Sequence, residues 1–223
     1  MTQKLRIAII GAGRIGYVHA GSVNDTPNLE LIYVVDPFEE SARKVIADFG
    51  GKYSSDPVAV INSGEIDAVI IGSPTPTHIP LLREAINAGV HALCEKPLDL
   101  DIKKVDELRA LASSAKINIT LGFNRRQDPQ YLALKAKVAA GTIGNVEQVI
   151  LTSRDPGPAP QGYIAVSGGI FRDQVIHDFD IARYFVGDIA EVSTFATNAF
   201  SSEIKAEGDF DTAITNLRST DGK

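Results

Sequence analysis

Asp173 and His177 stand four positions apart in the run Gly168-Gly169-Ile170-Phe171-Arg172-Asp173-Gln174-Val175-Ile176-His177. In a helix that spacing puts both side chains on one face, one turn apart. A neutral imidazole with its tautomer held by a carboxylate can take a proton from a hydroxyl near neutral pH. The same spacing arises by chance in many helices, so the pair acquires meaning only from residues elsewhere in the chain.

The first of these is Gly11-Ala12-Gly13-Arg14-Ile15-Gly16, which follows the β-rich run Leu5–Ile10 and precedes a helical pattern over Tyr17–Val23. A second strand pattern, Leu29–Val35, ends on Asp36, 20 residues after Gly16. Strand, glycine turn, helix and a distant acid form a dinucleotide fingerprint. Gly11 permits the tight turn, Gly13 lets the backbone approach a pyrophosphate, and Gly16 allows close helix–strand packing. The free N–H groups at the helix start, around Arg14 and Ile15, hold phosphate oxygens. Asp36 accepts ribose hydroxyls and repels a 2′-phosphate, which favours NAD over NADP. The alternative is a glycine turn in another α/β fold with a coincidental acid.

These residues need a scaffold, and the pattern supplies one. Glu39–Phe49 has helical spacing, Lys52–Ser54 is a short strand, and Asp56 caps a helix with Pro57 at its first position. Ala68–Ile71 reads as a buried strand, Ile79–Ala88 as a helix closed by Gly89, and His91–Cys94 as a strand. A helix over Ile102–Ser114 and a strand over Ile117–Leu121 complete the series. Apolar strands alternating with helices predict an α/β fold with a doubly wound parallel sheet of Rossmann type. Ligands in such sheets bind at the carboxyl ends of the strands. That edge carries Ser73, Thr75 and His78, then Glu95 and Lys96 before Pro97, then Asn124, Arg125 and Arg126. Lys96 can stabilise a developing alkoxide. His78 either touches the cofactor or sits at a helix start; His19 and His91 are expected to pack structurally.

Composition narrows the partners. With 44% hydrophobic and 22% charged residues the chain reads as an ordinary globular protein. A net charge of −6 gives no basic footprint for nucleic acid, and the apolar runs are too short to span a bilayer. The single cysteine, Cys94, suits a reducing cytoplasm, no signal peptide is visible, and no zinc-ligand spacing occurs. A small molecule is the expected partner.

The glycine motif, Ser73-Pro74-Thr75-Pro76-Thr77-His78, Glu95-Lys96-Pro97, Gly122-Phe123-Asn124-Arg125-Arg126 and the Asp173/His177 segment resemble the Gfo/Idh/MocA oxidoreductases. Thr152–Pro156 and Ser167–Phe171 are similar to the inositol 2-dehydrogenases within it. The resemblance implies an NAD-dependent oxidation of a cyclic polyol. In it Lys96 touches cofactor and substrate, His177 takes the hydroxyl proton, and Asp173 orients His177 and helps bind the polyol. It also implies substrate contacts at Arg126 and Asp155. The alternatives are a non-catalytic NAD-binding sensor on the same scaffold, which is expected to lose its proton-transfer groups, and an aldose dehydrogenase.

Residues 1–121 are expected to form the NAD-binding domain. Residues 122–223 are expected to form an incomplete α+β substrate-binding domain with a mostly antiparallel open sheet, built from strands at Gly144–Ser153, Ile189–Thr197 and Asp211–Arg218. Family chains run longer, so the last strands and closing helices of that sheet are expected to be missing. An open edge and an uncovered apolar face then follow, with little turnover from this chain alone. Completion by a partner copy, as a homo-oligomer through the sheet, is the other expectation.

Overall fold

The computed structural model describes residues 3–157 and 162–223. The chain divides into two compact units with the boundary between Gly122 and Phe123.

The first unit is built on six parallel strands: β1 (Leu5–Ile10), β2 (Leu29–Val35), β3 (Lys52–Ser54), β4 (Ala68–Ile71), β5 (His91–Cys94) and β6 (Ile119–Leu121). Their spatial order is 3-2-1-4-5-6, so the winding direction reverses between β1 and β4. The intervening helices are α1 (Arg14–Asn24), α2 (Glu39–Phe49), α3 (Pro57–Ile61), α4 (His78–Ala88) and α5 (Ile102–Ser114).

The two-residue period of a strand sorts its side chains into two cores. Ile7, Ile9, Val34 and Ile70 pack with Ala20, Val23, Ala42 and Val45. Ala8, Ile10, Val35, Val69 and Ile71 pack on the other face with Val60, Leu82, Ala85 and Leu108. Burial on both faces explains why these strands read as near-continuous apolar runs, broken only near their starts by Arg6 and Glu30. Each fully buried Val, Leu or Ile contributes about 1.5–3 kcal/mol. The doubly wound sheet expected from the sequence is present.

Local signals end the helices as predicted. The Asp56 carboxylate accepts the Val58 and Ala59 N–H groups at 3.0 Å each. Gly89 closes α4 in the left-handed region at φ 73°.

The second unit contains α6 (Pro129–Ala139), α7 (Ile164–Ser167), α8 (Gly169–Asp173), α9 (Ile176–Val186), β7 (Ile189–Thr197), α10 (Ser202–Ala206) and β8 (Thr212–Ser219). β7 and β8 form an antiparallel pair. Two expectations are corrected here. Gly144–Ser153 is irregular rather than a strand, with Ile150 78% exposed. A strand exists through its ladder, and among the described residues β7 and β8 pair only with each other. Nor do Asp173 and His177 share one regular helix, because α8 ends at Asp173 and α9 begins at Ile176. The Val175 N–H reaches back five residues to the Ile170 carbonyl at 2.8 Å, a π-type turn that widens the coil at this point.

No helix among the described residues is long and apolar enough to cross a membrane.

Candidate active site

The reversal between β1 and β4 opens a crevice at their carboxyl ends, and the glycine loop occupies it. Each of the three glycines has a different steric setting. Gly11 lies at φ 97°, and a Cβ there would stand 2.6 Å from the Ser73 nitrogen. At Gly16 a Cβ would stand 1.8 Å from the Gly11 carbonyl oxygen, so only glycine lets α1 approach β1. Gly13 differs from both. Its backbone is ordinary and extended (φ −74°, ψ −168°), and a Cβ would meet nothing within 4 Å. The protein itself does not require glycine at 13, and the space a side chain would fill is open. Gly13 is also the N-cap of α1 without a side-chain cap, so the first-turn amides of Arg14, Ile15 and Gly16 have no partner within the helix. An oxyanion such as a diphosphate fits this cradle.

Asp36, at the end of β2, ties the loop down. Its Oδ2 accepts the Ala12 N–H at 2.8 Å and its Oδ1 accepts the Phe38 N–H at 2.9 Å. An ionised carboxylate offers about four acceptor sites, so each oxygen retains one for a ribose hydroxyl. The link to Ala12 is not readable from the sequence, which gives only the offset from Gly16.

Beyond β4, the Ser73 hydroxyl lies 2.6 Å from the Thr77 hydroxyl, which in turn reaches the Pro74 carbonyl at 2.7 Å. Thr75 opens the 3-10 turn Thr75–Thr77. His78 is 1% exposed, with Nδ1 2.8 Å from the Pro97 carbonyl and Nε2 2.7 Å from the Ser73 carbonyl. Its ring therefore ties the β4 loop to the loop after β5, where the Lys96–Pro97 peptide is cis. His78 is also the first residue of α4, the helix start that the sequence left open for it.

Glu95 precedes Lys96. Its Oε1 lies 2.8 Å from His19 Nε2 on α1, and its Oε2 accepts the Lys96 N–H at 3.3 Å. Burial pushes the Glu95 carboxyl up, but the hydrogen bond and charge of His19, with the Lys96 amide and charge, outweigh it and hold the group below the usual range. His91 Nδ1 accepts the Asn118 N–H at 2.9 Å, a structural contact between β5 and the approach to β6.

In the second unit, the His177 ring stands edge-on to Phe123, centroids 6.4 Å apart. The Tyr163 hydroxyl lies 3.5 Å from Asp173 Oδ1. The start of α8, the helix bearing Asp173, is held by Asp209, which accepts the Ile170 N–H at 2.8 Å. A Cβ on Gly169 would stand 2.6 Å from the same carboxylate, so glycine there is a condition of the contact.

Two arginines grip the start of α9. Arg125 pairs with Asp178, which also accepts the Ser153 hydroxyl at 2.7 Å. Arg126 Nε bonds both oxygens of Asp180 at 2.8 and 2.9 Å, and its guanidinium lies 5.1 Å from the Tyr184 ring centroid. The Asp180 hydrogen bond raises the Arg126 pKa further. Arg126, which the resemblance implies as a substrate contact, is here engaged with α9. Asp155 lies exposed in the irregular segment before residue 158. Sequence reasoning missed Asp178, Asp180 and Asp209. The first two were visible as acids just beyond His177, but their partners lie 53 and 54 positions away.

A reversal-point cradle open at Gly13, with an acid at the end of β2 bonded to its loop, defines a dinucleotide-binding α/β protein. The family comparison is specific: the model of the oxidoreductase family with an NAD-binding Rossmann fold matches residues 5–123, and that of the Gfo/Idh/MocA C-terminal domain matches residues 131–223. The chain belongs to the Gfo/Idh/MocA oxidoreductase family. It is 40% identical over 221 residues to an inositol 2-dehydrogenase of Rhizobium meliloti (strain 1021), covering 98% of this chain and 66% of that protein. The crystal structure of a myo-inositol dehydrogenase from Corynebacterium glutamicum superposes with a TM-score of 0.93 at 48% identity, over 99% of this chain and 66% of that one. A Lactobacillus casei scyllo-inositol dehydrogenase with bound NAD(H) and scyllo-inositol superposes at 0.84 with 27% identity, over 99% of this chain and 67% of that one. The chain thus spans about 66% of the length of the first curated relatives it matches.

Proposed function

We propose that this chain carries the chemistry of an NAD-dependent dehydrogenase that oxidises a secondary hydroxyl of a cyclic polyol. The observation that carries the reading is the open space at Gly13, the N-cap of α1, with Asp36 bonded to the adjoining Ala12 amide. The polyol rests on the inositol dehydrogenases among its relatives. In this reading the first unit binds the cofactor. The second unit supplies part of the substrate domain and, through its sheet, a surface for a second copy. The lone buried Cys94 suits a reducing cytoplasm.

NAD, when bound, accepts the hydride from the carbinol carbon. The chain's residues handle the rest. The Gly11–Gly16 loop and the α1 amides bind the diphosphate, and Asp36 accepts the ribose hydroxyls and disfavours a 2′-phosphate. Ser73, Thr75 and Glu95 shape the cofactor edge around Lys96. The Lys96 ammonium stabilises the alkoxide as it develops. His177 receives the hydroxyl proton, with Asp173 fixing its tautomer and binding a neighbouring hydroxyl. Asp155 and Arg126 are the further polyol contacts that the resemblance implies, Arg126 being paired with Asp180 in this structure.

The test is NAD reduction by the purified chain over a panel of inositols and aldoses, with NADH binding measured alongside. Turnover of an inositol, low from this chain alone and lost in His177→Ala and Lys96→Ala, is the expected result. Tight NADH binding without turnover of any polyol would transfer the reading to an NAD-responsive sensor. A preference for NADP would defeat the Asp36 argument.

A further inference from the structure

Glu95 is one residue from Lys96, yet its carboxylate is directed into the first unit and held on three sides. From α1, the His19 ring closes on Oε1 at 2.8 Å, both side chains being less than one-fifth exposed. Lys96 donates its N–H to Oε2 at 3.3 Å. On the third side the backbone of Gly122, at the end of β6, comes so close that a Cβ would lie 2.7 Å from Oε2, 2.8 Å from Cδ and 3.0 Å from Oε1. The surrounding frame is rigid, with the Glu95 N–H on the Ile71 carbonyl at 2.9 Å and the Gly122 N–H on the Cys94 carbonyl at 2.7 Å. Two elements distant in sequence, α1 and the end of β6, thus converge on one carboxylate at the root of the Lys96–Pro97 turn.

We propose that Glu95 is a positioning residue, clamped between His19 and Gly122, whose carboxylate sets the orientation of the Lys96–Pro97 turn. The inference rests on the dehydrogenase reading only for its kinetic consequence, since the clamp itself is a property of the fold. A half-buried carboxylate that loses its donor must swing toward water or take a proton. Either response weakens the bond to the Lys96 amide and lets the turn relax. A methyl group at 122 has the same effect by steric displacement without altering any charge. His19→Ala and Gly122→Ala are therefore independent perturbations of one group, and His19→Gln retains a donor on a side chain of comparable reach.

The experiment takes wild type, His19→Ala, His19→Gln and Gly122→Ala through two readouts. Amide hydrogen exchange over residues 93–98 reports the turn whether or not the protein turns over. Steady-state kinetics with NAD and the accepted inositol separate kcat from KM. The expected result is exchange at the Lys96 amide faster by about tenfold in His19→Ala and Gly122→Ala. The kcat falls by roughly tenfold or more, as displacement of a catalytic group implies, while polyol KM and the NADH dissociation constant rise by smaller factors. His19→Gln restores most of both readouts. Wild-type exchange in either His19→Ala or Gly122→Ala overturns the clamp. So does a loss spread equally over kcat, cofactor binding and melting temperature, which reports general destabilisation. If the wild-type chain turns over no polyol, the functional reading fails separately and the exchange measurement still decides the clamp.

Discussion

Gly13→Ala separates a glycine kept for the fold from a glycine kept for a ligand. The backbone at 13 is extended and allowed to any residue, and the added methyl meets nothing within 4 Å. Removing glycine's freedom in the unfolded chain stabilises by about 0.4–1 kcal/mol. Alanine is a poorer N-cap than glycine by a similar order of magnitude. The two effects nearly cancel, so stability shifts by about 1 kcal/mol or less, or a melting change of about 2–4 °C. Binding responds differently. The methyl occupies the space in front of the α1 amides, and a diphosphate forced back by it loses at least one charge-assisted hydrogen bond worth about 1.5–3 kcal/mol. At about 1.36 kcal/mol per tenfold, the NADH dissociation constant rises about tenfold to about 150-fold. Gly16→Ala is the contrasting arm, because its methyl would stand 1.8 Å from a backbone oxygen that cannot rotate away. That variant is expected to lose about 1–3 kcal/mol or more of stability from overpacking. NADH fluorescence titration and thermal melting of both variants make the comparison. Wild-type NADH affinity in Gly13→Ala, or a melting loss as large as that of Gly16→Ala, refutes the reasoning.

Two further outcomes follow from the charge environment. Partial desolvation pushes Asp211 up, but the Ala199, Ser201 and Phe200 amides and the Thr212 hydroxyl outweigh it and pull its pKa to about 2, against an ordinary 3.8. Because the folded value is depressed, this stabilisation is full above about pH 4 and lost as pH falls through about 2; acid titration of Asp211→Asn should show a flatter stability profile there than wild type, and identical profiles would contradict it. Cys94 is fully buried, and burial together with the nearby Glu95 charge pushes its thiol well above the usual range. It should resist iodoacetamide in the folded protein at pH 8 and react once urea unfolds the chain, whereas native-state labelling at the rate of a free thiol would rule this burial out.

Much of the first unit was legible in the chain because its signals are local. Apolar runs of four to seven residues, the cap at Asp56, the left-handed stop at Gly89 and the Gly16-to-Asp36 offset each act within a strand, a turn or one βαβ unit. The second unit was read less well for the converse reason. Gly144–Ser153 carries Val146, Val149 and Ile150, yet strand structure depends on a ladder partner that no local pattern supplies. The four-residue step from Asp173 to His177 fits helical spacing, yet the coil widens at Val175, an event decided by which carbonyl its N–H reaches.

The order of elements, the cofactor fingerprint and the residue types available for proton transfer are all legible in the chain, since period, caps and glycine turns are written in neighbouring positions. What those residues touch is set by the folded packing. It gave Asp36 to the Ala12 amide, His78 to two carbonyls, Arg126 to Asp180, and Glu95 to His19 across 76 positions. It also separated Gly13, open to a ligand, from Gly11 and Gly16, closed by the protein's own backbone. Such pairings arise from packing segments far apart in the chain, where distance and burial, rather than spacing, select the partner.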